Sequence, residues 1–342
     1  MKVIITGPLT DEGRKVVAKE FPPECEVVEG GGLLEAELLE AAKTADVLVV
    51  PPFSVEMIEV AKNLKLVQNL GHGVEQQMAE PVKSMLMQRG IKVCKGGGSD
   101  ACMAEYIIMA MVLLGRRYLR FHEALAYHGD DMHSVRSKFF EGSMGMQLAD
   151  RTLGILGMGS IGGALAKRVK PMEMRVLGIK RNPEPEMKAE LGLDSLGGMG
   201  DLKSVLSESD YVAICLPLTS ETKGLMGPEE FAAMKDGSII INVGRGDIIQ
   251  ERALFEALRS RKLGGAAIDV WYHREVEGGA KYMGEYPCLY PIHQYNVLMT
   301  PHISGLMRER RWRSLRTAGE NVRRLMRGEE RLVYEANFEL GY

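Results

Sequence analysis

Nothing in this sequence is concentrated, and the scarcities already exclude several function classes. The five cysteines, Cys25, Cys94, Cys102, Cys215 and Cys288, are widely spaced and form no CxxC pair. A thiol-based metal or redox motif is therefore not expected, and reduced thiols in a cytoplasmic setting are. Charge of one sign is also lacking. The 43 basic and 46 acidic residues leave a net charge of −3, which argues against a nucleic-acid or acidic-membrane binder. The longest apolar run lies around Ile107–Leu114, far short of the roughly 20 residues of a membrane span. The opening MKVIITG reads as a strand and has no apolar core of a secretory signal. Aromatics make up 6% of the chain, with two tryptophans, Trp271 and Trp312. Repeats and low-complexity segments are missing, and no cluster has metal-ligand spacing.

What is present is alternation. The 342 residues suffice for two domains of ordinary size. Short β-branched apolar runs alternate with helical patterns throughout, the mark of βαβ units and parallel sheets. A first series runs Val3–Ile5, Val27–Val28, Val47–Val50, Leu66–Asn69 and Ile91–Cys94. A second runs Thr152–Leu156, Val176–Ile179, Tyr211–Cys215, Ile239–Asn242, Ala266–Asp269 and Val297–Met299. Six strands match a full dinucleotide-binding sheet. Gly96, Gly97 and Gly98 suit a hinge before a long helix at Ala101–Arg117. A second crossing is expected near Pro301, after which the basic helix around Arg308–Arg327 returns to the first domain. The expected architecture is α/β, with two Rossmann-like domains. A flavodoxin-like substrate domain (1–100 and 301–342) carries an inserted dinucleotide-binding domain (101–300), and the cleft between them is the expected site.

Four segments carry the chemistry. In TLGILGMGSIG, Gly157, Gly159 and Gly162 form a GxGxxG between an apolar strand and the helix Ser160–Val169. That arrangement supplies a tight turn, close backbone approach to a pyrophosphate and close helix–strand packing. The helix N-terminus then offers its N–H groups to the phosphates. An acidic residue normally ends the second strand and binds the adenosine 2′-hydroxyl. Here Lys180, Arg181 and Asn182 stand in that place, which favours the 2′-phosphate of NADP(H) over NAD(H), although Glu184 and Glu186 follow closely.

Hydride exchange with a 2-hydroxy acid needs a proton donor or acceptor and a cation for the carboxylate. Histidine suits the first because it titrates near neutrality. Arginine suits the second because its planar fork binds carboxylate bidentately. Arg245 lies in INVGRGDII between Gly244 and Gly246, just past a strand. His302 lies in MTPHISG at the end of the last parallel strand, where ligands of such sheets bind. Asp269 ends another strand in AAIDVW.

In this order the segments resemble the D-2-hydroxyacid dehydrogenase family, which includes glyoxylate and hydroxypyruvate reductases and phosphoglycerate dehydrogenases. The resemblance spans essentially the whole chain. NLGHGVE (69–75) resembles the family's substrate loop, GGGSDACMAEY (96–106) its hinge and helix start, and LPLTSETKGL (216–225) its adenosine loop. GRRYLRFHEAL and GENVRRLMRGE also fit. The resemblance implies Arg245 as the substrate clamp and His302 as the acid/base. It places His72, Gly73, Val74 and Ser99 with the substrate. It places Gly157, Gly159, Ser160, Ile161 and Gly162, then Lys180 and Arg181, around the pyrophosphate and adenosine. Leu216, Pro217, Thr222, Val243 and Gly244 join the cofactor surface, with Asp269, His302 and Gly305 at the nicotinamide. It also implies a homodimer built through the cofactor domains.

One position departs from the family. Its third catalytic residue, an acid that orients the histidine, falls five residues after Asp269, where this chain has Arg274. Glu275 and Glu277 are near, and the formate dehydrogenase branch carries an amide there. That branch's substrate asparagine is replaced here by Ser99, so formate is not favoured. Arg274 is alternatively a second cation for a phosphorylated or dicarboxylic substrate. The expected activity is reduction of a small 2-keto acid with NADPH, without a metal. The rival is a catalytically weak NAD(P)-sensing protein of the corepressor type.

Overall fold

The computed structural model describes residues 1–51, 53–127, 129, 131–140, 145–274 and 284–341. The chain forms two compact units, Met1–Ser99 with Leu306–Tyr342, and Asp100–Gly305.

In the first unit, β1 (Lys2–Ile5), β2 (Glu26–Glu29), β3 (Val47–Val50), β4 (Leu66–Asn69) and β5 (Lys92–Cys94) form a parallel sheet in the order β2-β1-β3-β4-β5. This is the flavodoxin-like winding. Every residue of β3, VLVV, is buried, as a central strand covered on both faces requires. The helix Asp11–Glu20 is opened by Thr10, whose side chain accepts from the Gly13 N–H, with Asp11 and Glu12 in its first turn. The helix Arg308–Met326 returns to this unit and buries Leu315, Ala318 and Val322 against Val3, Ile5, Val47 and Val49. Each large apolar side chain so buried contributes roughly 1.5–3 kcal/mol. A buried amide pair adds specificity: Asn321 Nδ2 donates to Gln68 Oε1 at 2.7 Å.

The expected glycine hinge is a packed segment. A Cβ on Gly96 would lie 2.4 Å from the Leu70 carbonyl, and one on Gly98, at φ +98°, 2.3 Å from Arg313 Cβ. Close approach, more than flexibility, demands glycine there.

The second unit holds a seven-stranded parallel sheet. Its strands are β6 (Thr152–Leu156), β7 (Arg175–Ile179), β8 (Ser195–Gly197), β9 (Tyr211–Ile214), β10 (Ser238–Asn242), β11 (Leu263–Ile268) and, after an antiparallel hairpin of β12 (Tyr272–Arg274) and β13 (Gly284–Tyr286), β14 (Val297–Met299). The order β14-β11-β10-β9-β6-β7-β8 is the dinucleotide-binding winding, with its reversal between β6 and β9. β8 and the hairpin lie outside the six expected strands, because SLG and YHR are too short and too polar to read as strands. The helix Asp100–Gly115 is apolar around most of its circumference and joins the helix Ser160–Val169 over one face of the sheet.

The second crossing falls at 305/306, beyond the expected Pro301. Residues 301–305 stay with the second unit because Asp269 holds the N–H groups of Ile303 and Ser304.

Candidate functional site

The glycine turn after β6 is built from three different demands. A Cβ on Gly157, at φ +106°, would lie 2.8 Å from the Cys215 carbonyl oxygen. One on Gly162 would lie 2.3 Å from the Gly157 carbonyl oxygen. One on Gly159 would meet nothing within 4 Å. Two glycines thus close the turn, and the third leaves an open backbone. The helix Ser160–Val169 follows, and its N-cap Gly159 has no side chain with which to satisfy the helix's first N–H groups. Gly159 and Ser160 are exposed and Ile161 half-buried.

The arginine turn lies two strands away. Asn242, the buried last residue of β10, accepts from the Gly244 N–H at 3.0 Å and donates to the Arg245 carbonyl at 2.9 Å. Gly246 fits only because it lacks a Cβ, which would meet the Trp271 carbonyl oxygen at 2.1 Å. Gly244 likewise packs on the Leu216 carbonyl. The two glycines therefore set the turn's packing more than they open it to a ligand. Arg245 is half-buried, and its Nη1 donates to the Gly244 carbonyl at 2.7 Å. Val243 beside it is buried.

Asp269 is fully buried at the end of β11. Its Oδ1 accepts from Thr300 Oγ1 at 2.6 Å and from the Ile303 N–H at 2.9 Å, and its Oδ2 from the Ser304 N–H at 2.9 Å. Trp271 Nε1 donates to the Thr300 carbonyl at 2.8 Å. These bonds bracket His302, which is exposed and stands at φ +55°. A left-handed backbone at a non-glycine residue costs of order 1–3 kcal/mol and persists only where its surroundings hold it. Asp269, expected at a nicotinamide amide, thus has three partners inside its own chain. Ser304 is 2% exposed, and among the described residues its Oγ has no hydrogen-bond partner. An unsatisfied buried hydroxyl costs about 1–3 kcal/mol, which a ligand's polar group would recover. Gly305 closes the loop, half-buried.

Lys180 and Arg181 follow β7 as read, and each meets a carboxylate: Lys180 Nζ–Glu184 Oε1 at 3.4 Å and Arg181 Nη2–Glu221 Oε2 at 2.7 Å. Glu221 belongs to the 216–225 loop. There Thr222 Oγ1 donates to the Pro217 carbonyl at 2.7 Å and accepts from the Thr219 N–H at 2.8 Å, with Leu216 half-buried at the loop's start.

In the first unit, Asn69 ends β4 and ties its loop together. It accepts from the Gly71 N–H at 2.9 Å and donates to the Gly73 carbonyl at 2.5 Å. His72 and Gly73 are half-buried, Val74 and Ser99 buried. Lys95 stands near this loop. Burial pulls its ammonium below the usual lysine range, partly offset by Glu75.

The backbone of Arg274 pairs with Gly284. Its side chain, together with Glu275 and Glu277, lies outside the described residues. The imidazole–carboxylate pair that is described belongs to the preceding residue: His273 Nδ1 lies 2.7 Å from Asp247 Oδ2. Sequence reading also missed Asn69, Asn242, Thr300 and Ser304. For the first two a signal exists, since both open an N-x-G after an apolar strand, where an asparagine side chain readily closes a turn.

Residues 108–304 match the family described as D-isomer specific 2-hydroxyacid dehydrogenase, NAD binding domain. A D-3-phosphoglycerate dehydrogenase from Archaeoglobus fulgidus is 31% identical over 90% of this chain and 54% of its own length. The chain spans little more than half of that relative, and 58% of a second one from Methanocaldococcus jannaschii. A glyoxylate reductase from Pyrococcus furiosus is 30% identical over 96% of this chain and 93% of its own. Among solved structures, a D-isomer specific 2-hydroxyacid dehydrogenase from Xanthobacter autotrophicus Py2, in complex with NADPH and MES, superposes with a TM-score of 0.76 at 25% identity, covering 100% of this chain and 99% of the other. With its glycine turn, arginine turn and histidine loop all on one sheet of the matching winding, this chain belongs to the D-isomer specific 2-hydroxyacid dehydrogenase family.

Proposed function

We propose that the protein reduces small 2-keto acids to 2-hydroxy acids with a nicotinamide cofactor. One observation carries this reading: a single parallel sheet delivers the glycine turn, Arg245 and the His302 loop from the carboxyl ends of β6, β10 and β14, the edge where ligands of such sheets bind. The residues fit the cofactor. Open backbone at Gly159 and an uncapped helix suit a pyrophosphate, and the unpartnered Ser304 hydroxyl suits a polar group at the nicotinamide end. When bound, the reduced nicotinamide supplies the hydride.

The chain's own residues then have distinct tasks. Arg245 holds the substrate carboxylate as a bidentate pair and polarises the adjacent carbonyl. His302 gives its proton to the carbonyl oxygen as the alkoxide develops. In the first unit, His72, Gly73 and Val74 are the substrate-loop residues by family resemblance. For the adenosine end we favour NADP(H), since no carboxylate ends β7 and Arg181 lies one residue beyond Lys180. The neighbour crystallised with NADPH supports the same choice. A 2′-phosphate there would displace Glu221 from Arg181.

A homodimer is the expected assembly. The helices Tyr118–Ala126 and Met132–Phe140 and the Tyr127 that follows the first leave Tyr118, Leu125, Tyr127 and Met132 exposed, apolar side chains that a partner subunit would cover. Light scattering would report the mass directly.

The test is NADPH and NADH oxidation against glyoxylate, hydroxypyruvate, pyruvate, 2-ketobutyrate and phosphohydroxypyruvate, with wild type and Arg245→Ala. Turnover by wild type, lost by roughly 10³-fold in the variant while cofactor affinity is kept, is the expected result. Tight cofactor binding without turnover on any keto acid would favour the sensing protein of the corepressor type, to which the Arg274 departure points.

A further inference from the structure

His302 stands on a left-handed backbone, and something must hold it there. Three described side chains form a hydrogen-bond chain beneath its loop, and the donors and acceptors resolve without ambiguity. Thr300 Oγ1 lies 2.6 Å from Asp269 Oδ1. A carboxylate only accepts, so the single hydroxyl proton of Thr300 goes to Asp269. Tyr106 OH lies 2.8 Å from Thr300 Oγ1. With the Thr300 proton already used, Tyr106 must donate into this contact. Asp269, with Thr300 on one oxygen, accepts the N–H groups of Ile303 and Ser304 on both. The chain therefore runs in one direction, from the tyrosine hydroxyl through the threonine to the carboxylate. It ends on the two amides that follow His302.

We propose that Thr300 and Tyr106 are positioning residues for His302, acting through Asp269 to fix the left-handed backbone from which the imidazole projects. This rests on the reading of His302 as the acid/base. Neither residue touches the reacting atoms.

His302 occupies a backbone region that an ordinary residue leaves when it can. The carboxylate that holds it there is fully buried, so each donor it lacks is felt at full desolvation cost. Thr300 is also pinned through its carbonyl by Trp271 Nε1, which fixes the start of the loop as Asp269 fixes its end. Tyr106 comes from the long helix Asp100–Gly115, an element separate in sequence from the loop and packed through its own buried side chains. Burial pushes its phenol up to about 12, so it keeps its proton and can donate at neutral pH. The family's carboxylate acts on the imidazole from the side. Here the backbone beneath the imidazole is held as well, which limits the directions in which the ring can project.

The test uses the full chain and variants that keep shape. Thr300→Val removes the hydroxyl, Thr300→Ser restores it, and Tyr106→Phe removes only the distal donor. The readouts are kcat and KM for the keto acid, cofactor Kd, and the His302 ¹H–¹³C resonance from ring-labelled protein, assigned by His302→Gln. Thr300→Val should lower kcat by about 10- to 100-fold with cofactor Kd within about twofold, on the scale of misoriented acid–base groups. Its His302 resonance should shift or broaden. Thr300→Ser should recover most of both effects, and Tyr106→Phe should show a loss of about threefold in kcat. An unmoved His302 resonance in Thr300→Val, or a serine variant as impaired as the valine, would overturn the proposal. If wild type reduces no keto acid, the reading of the protein as a reductase fails, and the resonance still decides whether Thr300 orients His302.

Discussion

Three strand-terminal side chains organise loops in this protein, and two of them do it differently from the third. Asn69 at the end of β4 and Asn242 at the end of β10 use one device. Each accepts the N–H two residues on and donates to a carbonyl three or four residues on. An amide carries both donor and acceptor, so it can close a turn of its own chain. Asp269 at the end of β11 only accepts, and it draws in donors from a separate segment, Thr300, Ile303 and Ser304. The amides shape local turns around Gly71–Gly73 and Arg245. The carboxylate instead ties the His302 loop, more than thirty residues distant in sequence, to the edge of the sheet.

Turning Asp269 into an amide attacks this contrast most severely. In Asp269→Asn, either orientation of the amide leaves at least one donor of the loop facing an NH₂ group. We expect about 2–4 kcal/mol of lost stability, read as a lower urea midpoint, with kcat reduced by about 100-fold or more. Near-wild-type stability would show that Asp269 does not hold the loop.

Asn242→Ala removes a donor and an acceptor from the Arg245 turn and should cost about 1–3 kcal/mol. kcat/KM should fall by roughly tenfold, through keto acid KM more than cofactor Kd. Asn242→Asp sharpens the comparison, since it keeps the acceptor to Gly244 and lacks the donor to Arg245, and an intermediate loss is expected. Asn69→Ala breaks the same device in the more exposed loop of the first unit. A rise of about threefold in keto acid KM, with cofactor Kd unchanged, is the expected outcome, on the scale of one net hydrogen bond.

The smallest effect is a control in acid. Burial works to raise the Asp46 carboxyl, but hydrogen bonds from Lys65 Nζ and the Lys2 N–H outweigh it and hold the group below its usual range. A depressed carboxyl stabilises the fold above its unfolded pKa, and this contribution disappears as pH falls through the lower folded value. Asp46→Asn should therefore reduce Tm at pH 7 by a degree or two, and the deficit should vanish in strong acid. A deficit that persists there would mean shape, not charge, is responsible.

Much of this organisation is legible in the sequence because parallel sheets bury their strands on both faces. Continuous runs such as VLVV at 47–50 and TLGIL at 152–156 are therefore unmistakable. Arg245 and His302 could be placed because each follows such a run within two or three residues. What escaped depends on distance in sequence or on chemistry that is locally mute. SLG at 195–197 earns its strand only by pairing with β7. Ser304 is conspicuous only once its hydroxyl is seen buried without a partner. The pairing of His273 with Asp247 joins residues 26 apart that nothing in their own neighbourhoods connects. The same holds for Thr300, whose neighbours in the sequence give no hint of Asp269 or Tyr106.

The most direct measurement follows the hydride itself. Wild-type protein is given a reduced nicotinamide cofactor carrying two deuterons at C4 together with the best keto acid of the panel other than glyoxylate, whose product has no stereocentre, and the product is examined by mass spectrometry and chiral chromatography. Deuterium on C2 of a D-2-hydroxy acid is the predicted result. A product of L configuration, or one without deuterium, would contradict the account.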